Sequence, residues 1–132
     1  MPVAGPSLRT LDVLIIEDNQ DGADSLALLL RQYGHTARAA YTGPAGVRAA
    51  LDDPPDVVLC DINLPGQSGL SVARRLADGL PAKPLLVAIT AARADELADR
   101  ARDAGFDHFF VKPVDPAELC ELLAEHAEHQ GR

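Results

Sequence analysis

Polar residues stand where apolar runs end: Glu17 and Asp18 follow Leu11 to Ile16, Asp61 follows Val57 to Cys60, Thr90 follows Leu85 to Ile89, and Lys112 follows His108 to Val111. If these side chains meet, three carboxylates within about 4 Å would repel by roughly 4 kcal/mol per pair at an effective dielectric near 20. Such a group calls for a cation. An all-oxygen donor set suits a hard ion that keeps water and phosphate oxygens as further ligands, the usual situation of Mg²⁺. Lys112 would add a positive point charge and Thr90 a hydroxyl donor, both suited to holding an anionic phosphoryl group. A carboxylate can itself be the nucleophile in phosphoryl transfer. Asp61 is the candidate, because it stands alone at a central run while Glu17 and Asp18 form a pair.

Each residue also has an ordinary explanation. An acidic pair before a helix favours the helix N-terminus, a strand-ending Thr or Asp forms turns, and a Lys is solvated. Singly, those explanations win. As an ordered set at four strand ends they lose, because coincidence must then be invoked four times.

The elements that would position the set alternate along the chain. Apolar segments at Leu11 to Ile16, His35 to Ala40, Val57 to Cys60, Leu85 to Ile89 and His108 to Val111 read as five strands. Between them lie stretches of helical period, so the pattern predicts an α/β domain with a mainly parallel sheet. From Asp21 to Tyr33, Ala23, Leu26, Ala27 and Leu30 make one buried face, and Gly34 ends the helix. Ala94 to Ala104 repeats this with Ala94, Leu97, Ala98 and Ala101 inward, and Gly105 stops it. Asp115, Pro116 and Glu118 mark the start of a last helix. Less regular helices are expected over Pro44 to Leu51 and Ser68 to Leu76, the second after the turn residues Pro65, Gly66 and Gly69. In sheets of this kind the carboxyl ends of the strands form the ligand crevice, so the polar set is expected to converge there.

The 132 residues fit one domain, with a flexible lead over 1–10, the domain over 11–127 and a short tail over 128–132. Hydrophobic residues make up 47% but aromatics only 4%, so the core must be aliphatic. A formal net charge of −8 argues against nucleic acid and anionic membrane surfaces as partners. No apolar run approaches the roughly 20 residues that span a bilayer, and no basic-then-apolar leader follows Met1, which points to the cytoplasm. Cys60 and Cys120 form no C-x-x-C pair and read as free thiols. His126 and His129 on the last helix read as surface groups rather than metal ligands, and Glu118, Glu121, Glu125 and Glu128 as a solvated face.

Taken together, Glu17-Asp18, the segment Val57 to Gly66 around Asp61, Ile89-Thr90-Ala91 and Lys112-Pro113 resemble the response-regulator receiver domain, over Leu11 to Ala127. Asp18 to Asp21 and Ala104 to His108 are similar to receivers of hybrid histidine kinases. The resemblance implies a flavodoxin-like, doubly wound sheet of five parallel strands in the order 2-1-3-4-5, with five helices. It implies that Asp61 is the phosphoryl acceptor in a two-component phosphorelay. Asp18, Asp61 and the backbone carbonyl of Asn63 would then be direct ligands of Mg²⁺ or Mn²⁺, with Glu17 acting through water. Thr90 and Lys112 would bind phosphoryl oxygens, the Lys112–Pro113 bond would be cis, and Thr90 and Phe109 would be switch residues. Core packing explains an aromatic at Phe109 equally well. Glu17 departs from the commoner aspartate, and Asn63 and Ala92 stand where hydrolysis of the acyl phosphate is tuned. The implied partner is a histidine kinase or histidine phosphotransfer protein. The output is a changed protein-binding face, from a monomer or a phosphorylation-linked dimer, and the only reactions catalysed are the chain's own phosphorylation and dephosphorylation.

A haloacid-dehalogenase-like phosphatase also forms an aspartyl phosphate but needs a second aspartate two residues on, where this chain has Asn63. A flavodoxin-like cofactor carrier would find its phosphate repelled by Glu17-Asp18-Asn19. An unphosphorylated pseudo-receiver used purely for binding is the remaining alternative, and Mg²⁺ retention lost on Asp18→Ala would argue against it.

Overall fold

A computed structural model describes residues 10–64, 66, 68–91 and 95–130. Most of the 1–10 lead, Pro65, Ala92, Ala94 and the end of the tail lie outside the described residues, as do the side chains of Asp95, Glu96, His129 and Gln130. Ten elements alternate strictly: β1 Asp12–Ile16, α1 Gln20–Gln32, β2 Thr36–Ala40, α2 Gly43–Asp52, β3 Val57–Asp61, α3 Gly69–Gly79, β4 Leu85–Thr90, α4 Asp95–Ala104, β5 His108–Val111 and α5 Pro116–Gln130. All strand pairs are parallel, and their order is β2-β1-β3-β4-β5. This is the expected doubly wound topology.

The burial of each strand follows its place in that order. All five residues of central β3 are buried, whereas the edge strands β2 and β5 are only partly covered, as a sheet covered by helices on both faces requires. One apolar core lies beneath α2, α3 and α4, with Ile16, Val58, Leu76 and Leu86 among its members. The other lies beneath α1 and α5, around Ile15, Leu30, Leu59, Leu119 and Leu123. Ala23, Ala27 and Leu30 of α1 are buried, as their spacing predicts, and Leu26 is half-buried.

Helix boundaries differ from the sequence expectation by a residue or more. Asn19 caps α1, its Oδ1 accepting from Gly22 N–H at 3.0 Å, so the helix opens at Gln20. Gly34 takes φ +96° after the last turn and donates to the Arg31 carbonyl, the left-handed exit that glycine favours. Ser68 lies just outside α3 as its cap, accepting from Leu70 N–H at 3.1 Å, and α3 runs on to Gly79. At α5, Asp115 Oδ1 accepts from Ala117 N–H at 2.9 Å. That helix continues to Gln130, three residues past 127.

Candidate functional site

Sheet register brings the polar set together. Ile16 pairs with Cys60, so Glu17 and Asp61 are the next residues along two adjacent strands. Asp61 is in register with Ile89, and Thr90 with Val111, which puts Thr90 and Lys112 at the same rim. Backbone bonds hold the loops there: Glu17 N–H donates to the Ala40 carbonyl at 3.0 Å, Ile62 N–H to Ile89 at 3.0 Å, and Lys112 N–H to Thr90 at 2.8 Å.

At this rim Glu17, Asp18 and Asp61 each offer a carboxylate oxygen, all within 4.8 Å of one another. Asp61 is 6% exposed and Glu17 9%, while Asp18 is open to solvent. The Lys112 ammonium bridges the two buried members, donating to Glu17 Oε1 and, at 3.1 Å, to Asp61 Oδ2. Glu17 Oε2 also accepts from Asn19 N–H at 3.2 Å. Burial is the largest influence on Glu17 and raises its pKa; the charge of Asp61 adds to this, while Lys112 and the Asn19 amide oppose it. For Lys112 burial acts to lower the pKa, but its bonds and charge attraction to Glu17 and Asp61 prevail and raise it. The ammonium therefore stays charged. Cys60, beside Asp61, has its thiol pushed far up by burial and by the charges of Asp61 and Glu17. It is a neutral core residue whose Sγ donates to the Asp61 carbonyl at 3.4 Å.

Two contacts at this rim are not foreshadowed by the sequence. Asn63 donates its backbone N–H to Asp61 Oδ1 at 2.9 Å and its side-chain Nδ2–H to Thr90 Oγ1 at 3.0 Å, Thr90 being fully buried. Gly69, opening α3, lies so close to β3 that a Cβ there would sit 2.5 Å from the Asp61 carbonyl oxygen and 2.7 Å from the Ile62 Cα. A glycine at the first turn of the helix after the acidic strand end is the one signal that could have pointed to it. A cavity of about 460 Å³ adjoins the cluster, walled by Leu26, Ile89 and Val114.

Other candidates lie elsewhere or stay apart. Phe109 is half-buried and packs against the core under α2, α3 and α4. The Lys112–Pro113 bond is cis. His126 sits along α5, well away from the acidic set in sequence, and Cys60 and Cys120 are free thiols. Among the described residues no helix is long and apolar enough to cross a membrane.

Three carboxylates cluster here, two of them bonded to one ammonium, and every ligand atom they offer is oxygen. That donor chemistry fits a hard divalent cation such as Mg²⁺. The fold and site thus define a flavodoxin-like α/β domain carrying an acidic pocket and a lysine at the carboxyl ends of its strands. The chain belongs to the response regulator receiver domain family, whose model matches residues 13–124. It is 35% identical over 111 residues to the transcriptional regulatory protein KdpE of Mycobacterium tuberculosis, covering 84% of this chain and 48% of that one. It is 34% identical to the transcriptional regulatory protein CreB of Escherichia coli, covering 82% and 47%. The chain thus spans about half or less of the length of these transcriptional regulatory proteins. A CheY-like receiver domain structure from Methanospirillum hungatei superposes with a TM-score of 0.82 at 26% identity, covering 93% of this chain and 98% of that one. This is a receiver domain of two-component phosphorelay signalling, and receivers of this family are signalling switches.

Proposed function

We propose that Asp61 accepts a phosphoryl group from a phosphohistidine on a histidine kinase or phosphotransfer protein. The observation that carries this reading is the convergence of Glu17, Asp18 and Asp61 around a shared position, with Lys112 bonded to two of them. An Asp61 carboxylate oxygen attacks phosphorus, forming an O–P bond as the donor's P–N bond breaks. The electron pair returns to the imidazole nitrogen, which takes a proton from solvent. Water later attacks the acyl phosphate, restoring the carboxylate and releasing inorganic phosphate. These self-directed steps are the only reactions the chain catalyses.

Asp18, Asp61 and the Asn63 carbonyl would hold Mg²⁺ or Mn²⁺ directly, and Glu17 through water. When bound, the cation neutralises charge on the transferring oxygens. Lys112 supplies a permanent positive charge against the phosphoryl group, and Thr90 a hydroxyl donor. The added charge of about −2 then shifts the loop bearing Thr90 and the strand bearing Phe109. Output is a changed protein-binding face within the 11–127 unit, in a cytoplasmic monomer or a phosphorylation-linked dimer. The net charge of −8 supports a protein contact over direct nucleic-acid binding by this domain. The Asn63 carboxamide is not an ionisable group and cannot serve as a general acid, which argues against a phosphatase.

Incubation with phosphoramidate and Mg²⁺, followed by intact-mass measurement, tests the reading. One phosphoryl adduct is expected, abolished by EDTA and absent from Asp61→Ala. An undiminished adduct on that variant would overturn it.

A further inference from the structure

We propose that Arg31 guards the outer edge of β2 and keeps two copies of this chain from joining their sheets through that edge. The proposal concerns the resting molecule and does not depend on Asp61 as acceptor.

β2 ends one side of the sheet, so part of its backbone has no neighbouring strand. Which part follows from the ladder. Thr36 N–H donates to the Leu11 carbonyl, and the Ala40 carbonyl accepts from Glu17 N–H, both at 3.0 Å. In a parallel pair the N–H and C=O of one residue point to the same side, and the side alternates along the strand. Thr36, Arg38 and Ala40 therefore face β1, and Ala37 and Ala39 turn their N–H and C=O outward.

An outward row of this kind is a template for another strand. The residues of β2 protect it little: Thr36 to Ala40 contain no proline, and the one charge, Arg38, is paired with Asp12 and Asp53. The guard comes from α1 instead. Arg31, exposed in the last turn of that helix, donates to the Ala37 carbonyl from Nε at 3.1 Å and from Nη2 at 2.7 Å. One guanidinium thus occupies an outward carbonyl with two donors and lays a positive charge across the edge. An arriving strand must displace it. Leu28, an i, i+3 neighbour of Arg31 on the helix surface, is 55% exposed, so apolar surface lies beside the guarded groups. The occupant this edge fits is a second copy of the chain, because a two-fold axis sets the outward groups of one β2 antiparallel against the same groups of the other.

The test is sedimentation velocity over a concentration series, on the full chain in EDTA with no phosphodonor. Arg31→Ala is expected to self-associate about a hundredfold more tightly than the unaltered chain, about tenfold for each charge-assisted cap removed and two caps per symmetric pair. Arg31→Gln, also neutral, should behave alike, and both substitutions keep a helix-forming residue at an exposed site. Adding Ala39→Pro should return each variant to the behaviour of the unaltered chain, because proline removes an outward N–H and no bond to β1. Amide hydrogen exchange reads the same edge without a second substitution: the Ala37 and Ala39 amides of Arg31→Ala should become protected as concentration rises. Sedimentation of both single variants like the unaltered chain would overturn the proposal. So would association that survives Ala39→Pro or leaves exchange at Ala37 and Ala39 unchanged, since the contact would then lie elsewhere or come from a loosened fold.

Discussion

Lys112 stands between two mostly buried carboxylates, and its ammonium bonds to both Glu17 and Asp61. Removing one partner from a mostly buried ionic group leaves the rest uncompensated, which is the expensive way to break it. The Lys112 side chain is 33% exposed, so solvent screens part of the effect. Lys112→Met is therefore expected to lower stability in EDTA by about 1 kcal/mol. Urea unfolding should show the midpoint recover when Mg²⁺ is added, because a cation among the carboxylates replaces the lost charge. A midpoint unchanged in EDTA would mean the ion pair contributes nothing to the resting fold. At this scale the sequence is legible wherever a polar residue ends an apolar run, since strand ends locate Glu17, Asp18, Asp61, Thr90 and Lys112 without any distance. It is silent on the Asn63 side chain. An amide two residues past Asp61 reads equally as a turn former, and only the folded geometry reveals its bond to Thr90.

Among the elements, β3 and α3 set the position of Asp61. The register of β3 with β1 and β4 aligns Asp61 with its partners, and α3 closes against the strand end through Gly69. The atoms that a Cβ at position 69 would strike are backbone, at 2.5 and 2.7 Å, so no side chain can swing aside. Gly69→Ala is expected to cost about 1 to 3 kcal/mol by overpacking and to lower the phosphorylation rate by moving Asp61. Gly22→Ala is the matched comparison: it lies on α1, where the nearest atoms to a new Cβ are 3.7 Å away. There alanine should be neutral or stabilising by about 0.4 to 1 kcal/mol. Equal effects of the two substitutions in thermal unfolding would refute the close-approach argument. Periodicity predicts all five strands and five helices. It misses where several helices begin, because the caps Asn19 and Ser68 act through side-chain bonds to Gly22 and Leu70 that follow from local backbone geometry rather than hydrophobic spacing. The extension of α3 to Gly79 escapes it for a related reason, since Ala77, Asp78 and Gly79 are exposed and add nothing to the buried face that ends at Leu76.

For the molecule as a whole, alternating strands and helices admit few topologies once right-handed crossovers are required, and the receiver motifs select the order 2-1-3-4-5 among them. Which helices share a face follows from the same rule, and the two aliphatic cores on either side of the sheet agree with it. Composition says less about partners, because a charge of −8 disfavours one class of ligand without selecting among proteins. Everything functional rests on Glu17 and Lys112, groups 95 residues apart, framing one acceptor carboxylate at Asp61. Chemical trapping addresses that acceptor: phosphorylate the chain with phosphoramidate and Mg²⁺, reduce it with borohydride, digest it and sequence the peptides by mass spectrometry. Reduction of an aspartyl phosphate leaves homoserine, and homoserine is predicted at position 61 alone. Homoserine at Asp18 or at any other aspartate, with position 61 still aspartate, would contradict the assignment.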